Sequence, residues 1–227
     1  MEPVIITIDG PSGAGKSTVS RKLASVLGYT YIDSGALYRI VALAVVEQHA
    51  KQDDDQALAR ICDTLEVLFA SRNGKVTILS QGKDISELIR TPAISMLASK
   101  LSAKRITRDS LTALQRRMGK KGNTVLEGRD AGTVVFPEAP VKFYLSASPE
   151  ERGRRRYEEL REKGFPVTLE QVTQEVRARD HNDSTRNYAP LCAAPDAVII
   201  DSTAMTIEAV MEKMMQVIKS KIAGGTV

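Results

Sequence analysis

Tryptophan is absent from this chain of 227 residues, and its other aromatics are four phenylalanines and six tyrosines. Nowhere do basic residues alternate with aromatics, so there is no platform on which successive bases of a strand would stack. A net charge of +4 therefore points to single phosphates gripped by short arginine motifs, and nucleic acid is not expected as a partner. Cysteine and histidine are scarce too. Cys62 and Cys192 are isolated, and His49 and His181 complete no metal-ligand spacing. They read as structural cysteines and surface histidines. No apolar run approaches the ~20 residues that span a bilayer, and no charged segment followed by a short apolar one opens the chain. The expectations are a cytoplasmic address, no membrane and a monomer. Repeats and low-complexity tracts are also absent.

What is present is ordinary for a soluble globular protein, with 42% apolar and 26% charged residues. The length suits a single domain over residues 1–227, with room for an inserted lobe. One stretch organises the rest: Gly10-Pro11-Ser12-Gly13-Ala14-Gly15-Lys16-Ser17, followed by Thr18. It fits G-x-x-x-x-G-K-[ST] completely, between an apolar run (Val4 to Ile8) and a segment with helical spacing at Val19, Leu23 and Leu27. Glycines there let successive N–H groups point into one concavity, and the helix that follows adds its free N–H groups and dipole. Lys16 then reaches the β- and γ-phosphates of a nucleoside triphosphate, and the Ser17 hydroxyl is placed to hold Mg²⁺. Residues 10–18 are the expected ATP site.

The rest of the chain alternates strand and helix. Residues 3–9 read as a buried strand, 17–27 as a helix stopped at Gly28, and Tyr29 to Ile32 as a second strand. A helix then runs to about Gln48. Strand, helix, strand at this spacing means a right-handed crossover in a parallel sheet. The texture changes after the polar Lys51–Asp55. Glu66–Ala70 and Lys75–Leu79 flank Asn73-Gly74, a strong hairpin signal, so residues ~63–90 read as a small antiparallel sheet in a separate lobe. Thr91-Pro92 starts a helix that a second follows, ending at Gly119. Thr124–Glu127, Val141–Leu145 and Ala197–Ile200 supply three more core strands. Capping signals open helices at Ser148 and Thr168, and a closing helix puts Ile207, Val210, Met211, Met214 and Ile218 on one face. The tail from Ala223 is expected to fray. The expected fold is α/β: a five-stranded parallel sheet with helices on both faces, an inserted lobe at 40–115 and a short helical lid at 148–166.

Ligands in such sheets bind beyond the carboxyl ends of the strands. The loop at 10–17, Asp33–Arg39 and Gly128–Thr133 all follow strands, as does the helix with Arg152, Arg154, Arg155 and Arg156. Phosphoryl transfer asks for positioning and positive charge. Lys16, Arg152, Arg155 and Arg156 are the candidates for that charge. The lid helix has a narrow apolar stripe, chiefly Tyr157 and Leu160, which suits a segment weakly held by the core. Arg39, Arg129 and Arg186 exceed what ATP needs and imply a second phosphorylated substrate.

These residues resemble a known family. Gly10–Lys16, Asp33-Ser34-Gly35-Ala36-Leu37-Tyr38-Arg39 and Gly128–Pro137 look like the signatures of bacterial cytidylate kinases, and Arg179-Asp180-x-x-Asp183-x-x-Arg186 is similar to a later one. The resemblance covers essentially the whole chain. It implies transfer of the γ-phosphate of ATP to CMP or dCMP with Mg²⁺. By the same resemblance Arg39, Arg129 and Arg186 hold the acceptor phosphate; Ser99, Arg108 and Asp130 read cytosine; Arg179 and Asp183 contact the sugar; and Ser34 lines the pocket. Glu127 stands where an aspartate would usually end the strand as the second metal anchor, which favours a water-mediated contact. A kinase for UMP or for a non-nucleotide such as shikimate shares the loop and lacks the later arginine motifs. A regulatory GTPase would need Asn-Lys-x-Asp, which the chain does not have.

Overall fold

The computed structural model describes residues 3–72 and 75–223. Five strands, β1 (Ile5–Asp9), β2 (Thr30–Asp33), β6 (Thr124–Gly128), β7 (Val141–Ser146) and β8 (Val198–Asp201), form one sheet in the order β2-β6-β1-β7-β8. Every pairing in it is parallel. Central β1 and β6 are buried at every position, as strands covered on both faces must be. That is the expected sheet, with strand ends moved by a residue or so.

Helix α1 (Lys16–Leu27) packs on β6 and against α8 (Ile207–Ala223). It buries Val19 and Leu23, while α8 contributes Val210, Met214 and Ile218 to the same core. The methionine stripe is thus a core face, although Ile207 at its start stays exposed. Helix α2 (Ser34–Glu47) is capped by Asp33, whose carboxylate accepts from the Ala36 N–H at 2.8 Å.

Between α2 and β6 come α3 (Asp55–Asp63), a separate antiparallel sheet of β3 (Val67–Arg72), β4 (Lys75–Ser80) and β5 (Lys83–Asp84), a single 3₁₀ turn at Leu88–Arg90, and helices α4 (Pro92–Leu101) and α5 (Arg105–Gly119). The β3–β4 register places Arg72 opposite Lys75; the Asn73-Gly74 turn itself lies outside the described residues, as does the tail beyond Ala223. Two-residue β5 is the addition that no sequence pattern announced.

Helices α6 (Pro149–Glu162) and α7 (Leu169–Thr185) follow β7. Thr168 with Gln171 forms the expected capping box, but at α6 only half of the expected one is made: Ser148 accepts from the Glu151 N–H, while its own N–H donates to Thr203 and the Glu151 carboxylate is taken by Arg154 and Arg155. Among its side chains α6 buries only Arg152 and Leu160, with Gly153 pressed on α7 so closely that a Cβ would stand 2.3 Å from Thr173 Oγ1. Arg179–Thr185 forms the last two turns of α7, which puts Arg179 and Asp183 on one face at i, i+4.

The loop at residues 10–15 is set by close approach. Gly10 has φ +144°, and a Cβ there would lie 2.0 Å from the Leu145 carbonyl oxygen. Gly10→Ala is expected to add about 1–3 kcal/mol of backbone strain to that clash. The check is a lower urea midpoint with an unchanged m-value.

Candidate active site

At the carboxyl ends of β1, β2 and β6 lies a cavity of about 630 Å³. One half is the loop. Ser12, Gly13, Gly15, Lys16, Ser17 and Thr18 line the cavity, while Gly10, Pro11 and Ala14 do not. Gly13 and Gly15 have φ of +78° and +88°, conformations that turn peptide N–H groups towards a bound anion. Lys16 Nζ donates to the Pro11 carbonyl at 2.7 Å. Burial, and then the nearby Arg129 charge, lower its pKa to about 7, while Glu127 opposes the shift.

A bound triphosphate must reverse that effect, because anionic oxygens favour the ammonium form. A lowered pKa leaves part of the free protein's Lys16 neutral above pH 7. ATP binding is therefore expected to take up little proton at Lys16 near about pH 6 and a substantial fraction near about pH 8. Calorimetry in buffers of different ionisation enthalpy measures this, and Lys16→Met should abolish the difference.

Beneath the loop, Tyr31 donates a hydrogen bond to Glu127, and the Ser17 hydroxyl lies on the same side of the cavity. Burial and the nearby Asp33 carboxylate raise the Glu127 pKa. A hydroxyl with hard carboxylate oxygens beside a phosphate site is the donor set Mg²⁺ takes, supplemented by phosphate and water. The residues fit the ion, although no cluster of three or more His, Cys, Asp or Glu occurs among the described residues.

The other half is arginine-rich. Ser34, Arg39, Ser99, Arg108, Arg129, Asp130, Arg179, Asp183 and Arg186 all line the cavity. Asp183 organises them, with Arg129 at 3.0 Å, Arg186 at 3.8 Å and Arg179 at 4.0 Å. Burial alone would raise the Asp183 carboxyl, yet Arg129, Arg179 and Arg186 together hold it below its usual value. Arg179 is depressed to about 10 by desolvation and then by Arg129. Cations crowded like this are relieved by an anion. Arg39 Nε, Arg179 Nε and Arg186 Nη2 are buried donors with no hydrogen-bond partner in the protein, so polar groups of a ligand are what would complete them.

Asp130 is buried, with one oxygen 2.5 Å from Arg108 Nη2 and the other 3.9 Å from Arg186. Arg108 also donates to the Ser102 carbonyl at 2.9 Å and sits 5.6 Å from the centre of the Tyr38 ring.

The lid arginines divide. Arg155 and Arg156 line the cavity; Arg155 donates to Glu151 and to the Ser202 carbonyl, each at 2.8 Å, and Arg156 pairs with Glu159 at 2.6 Å. Arg152 does not line it. It is 3% exposed and bound to the protein on all sides. Of the three candidate arginines on α6, the structure therefore brings Arg155 and Arg156 to the cavity and not Arg152, which lies on the side of α6 turned to the loop.

Three residues escaped sequence reasoning. Asp9, ending β1, accepts from the Ala131 and Gly132 N–H groups at 2.8 and 2.7 Å. It thereby holds the π turn Ala131–Val135 that follows Arg129-Asp130. Burial, with Asp130 adding, raises its pKa to about 6 despite those bonds. A charge closing an apolar strand was the signal. Tyr31 beside Glu127 carried none. Arg90 also lines the cavity, and its buried Nε has no partner.

Comparison with known proteins adds the family. The family model described as cytidylate kinase matches residues 6–220. A cytidylate kinase of Geobacter sulfurreducens is 51% identical over 96% of this chain and 94% of its own length. One from Syntrophotalea carbinolica is 52% identical over 96% and 93%, and one from Klebsiella pneumoniae 43% over 96% of each. Among solved structures, a protein of Eubacterium ventriosum described as uncharacterized superposes with a TM-score of 0.52 at 13% identity, covering 96% of this chain and 99% of that one. That likeness concerns the fold alone.

Proposed function

The chain belongs to the cytidylate kinase family, and from that premise we propose how its cavity carries out ATP-dependent phosphorylation of CMP or dCMP. The terminal phosphoryl group leaves the β-phosphate of ATP and bonds to an oxygen of the acceptor's phosphate, giving ADP and CDP or dCDP. Such transfers need alignment and charge compensation more than covalent help. The loop N–H groups and Lys16 hold the β- and γ-phosphates, while Arg155 and Arg156 approach from α6. Arg39, Arg129 and Arg186 hold the acceptor phosphate opposite them. Asp130, Arg108 and Ser99 read the cytosine, Arg179 and Asp183 meet the sugar, and Ser34 closes the wall. Mg²⁺, held by Ser17 and through water by Glu127, would neutralise phosphate charge. Residues 40–115 serve as the acceptor lobe and 148–166 as the lid.

The observation that carries this reading is the second cationic cluster: Arg39 and Arg186, across the cavity from a complete phosphate loop, each keep a buried donor without a hydrogen-bond partner in the protein. ATP alone has no use for them. ADP formation across a panel of added acceptors tests it. CMP and dCMP should drive turnover, UMP weakly and shikimate not at all. Turnover that ignores the added monophosphate, or responds to shikimate, would refute the assignment.

A further inference from the structure

Arg152 sits at the first turn of α6, on its buried side. Its Nε donates to the Ala147 carbonyl at 2.8 Å and its Nη1 to the Ser12 carbonyl at 3.1 Å, while Nη2 lies 2.6 Å from Asp180 on α7. The loop rests directly on this residue: a Cβ on Gly13 would stand 3.0 Å from both the Arg152 Cβ and its carbonyl oxygen. On the far side, Arg152 is the only ion-pair partner of Asp180 among the described residues, and the second Asp180 oxygen is buried without a hydrogen bond. Asp180 is flanked on α7 by Arg179, and Asp183 lies one turn on; both line the acceptor half of the cavity. A continuous path thus runs from the ATP loop through one guanidinium to the helix that holds the acceptor's ligands, and Arg152 itself touches neither substrate space.

We propose that Arg152 is a positioning residue that couples the two halves of the cavity through the link Ser12–Arg152–Asp180. This rests on the assignment of the loop to ATP and of the α7 face to the nucleoside monophosphate. A triphosphate bound by the loop N–H groups fixes the Ser12 peptide. The guanidinium is planar and its three bonds share one plane, so fixing Ser12 and Ala147 fixes where Asp180 is held. That sets the face of α7 carrying Arg179 and Asp183. The ordering cost is then met once, by whichever ligand arrives first, and the second binds more tightly. Linkage makes the effect reciprocal.

The test is CMP affinity measured calorimetrically with and without a non-hydrolysable ATP analogue, in the wild type, Asp180→Asn and Arg152→Lys. The analogue should tighten CMP binding to the wild type by about fivefold or more, the lower end of ordinary coupling. In both variants each ligand should still bind alone, while the factor falls below about twofold, and the double variant should add nothing further. A merely structural role would weaken both ligands and leave the factor intact. Asp180 is partly exposed, so its substitution keeps the test usable if Arg152→Lys fails to fold. A wild-type factor retained in Asp180→Asn, or no factor in the wild type, overturns the inference while leaving the proposed function standing. CMP that does not bind the wild type at all overturns the function and this inference with it.

Discussion

Lys16→Met is expected to lower kcat by about 10²–10³, the usual effect of removing one preorganised electrostatic group, while CMP affinity changes little. Lys16 is buried on the loop, where its ammonium donates to the Pro11 carbonyl. A methionine fills similar space but cannot follow the charge that builds on the β- and γ-phosphates during transfer. The groups proposed to hold CMP are on other elements, α2, α4, α5, α7 and the turn after β6, so its binding should report an intact pocket. Steady-state kinetics with a CMP titration on the same variant separate the two effects. Turnover near the wild-type rate would remove the loop from the mechanism.

Asp130→Asn is expected to reduce the preference for CMP over UMP by about tenfold or more, within the roughly 1.5–3 kcal/mol assigned to hydrogen bonds on charged groups. Cytosine offers an amino donor at its 4-position where uracil offers a carbonyl acceptor. An ionised carboxylate only accepts. One Asp130 oxygen is taken by Arg108 at 2.5 Å, which leaves the other, 3.9 Å from Arg186, to meet the base. In the variant the amide oxygen turns to Arg108, since the guanidinium also only donates, and the NH₂ group then faces the cavity. That arrangement opposes the amino group of CMP and welcomes the oxygen of UMP. The ratio of kcat/KM values within one variant cancels any general loss from leaving Arg108 without its charge partner. An unchanged ratio with both substrates weakened alike would hand base reading to Ser99 and Arg108.

The parts legible in the sequence are those where local chemistry decides. Gly10–Ser17 fits a phosphate loop between a strand and a helix, and the β-rich runs at 3–9, 124–127 and 141–145 alternate with helical segments as the strands of a parallel sheet do. The nine proposed acceptor residues come from four widely separated stretches, and all reach one cavity. What stayed hidden depends on helical phase and on pairing across the sheet. Arg152, Arg155 and Arg156 are alike in composition, and only the rotation of α6 against the loop decides which is enclosed. Arg179–Thr185 is polar, yet it stays helical because Val176 is buried just before it and Asp183 is tied to Arg129. Tyr31 meets Glu127 because Ile32 lies beside Leu126 in the β2–β6 register, a pairing of residues far apart in sequence.

If the phosphoryl group passes directly between two nucleotides held on opposite sides of this cavity, a label at the γ-position of ATP must follow it to CMP. With ATP carrying radioactive phosphorus there and CMP as acceptor, every ADP formed should be matched by one labelled CDP, with the label in its β-phosphate and none without CMP. Label released as inorganic phosphate at a rate indifferent to CMP would rule out direct transfer.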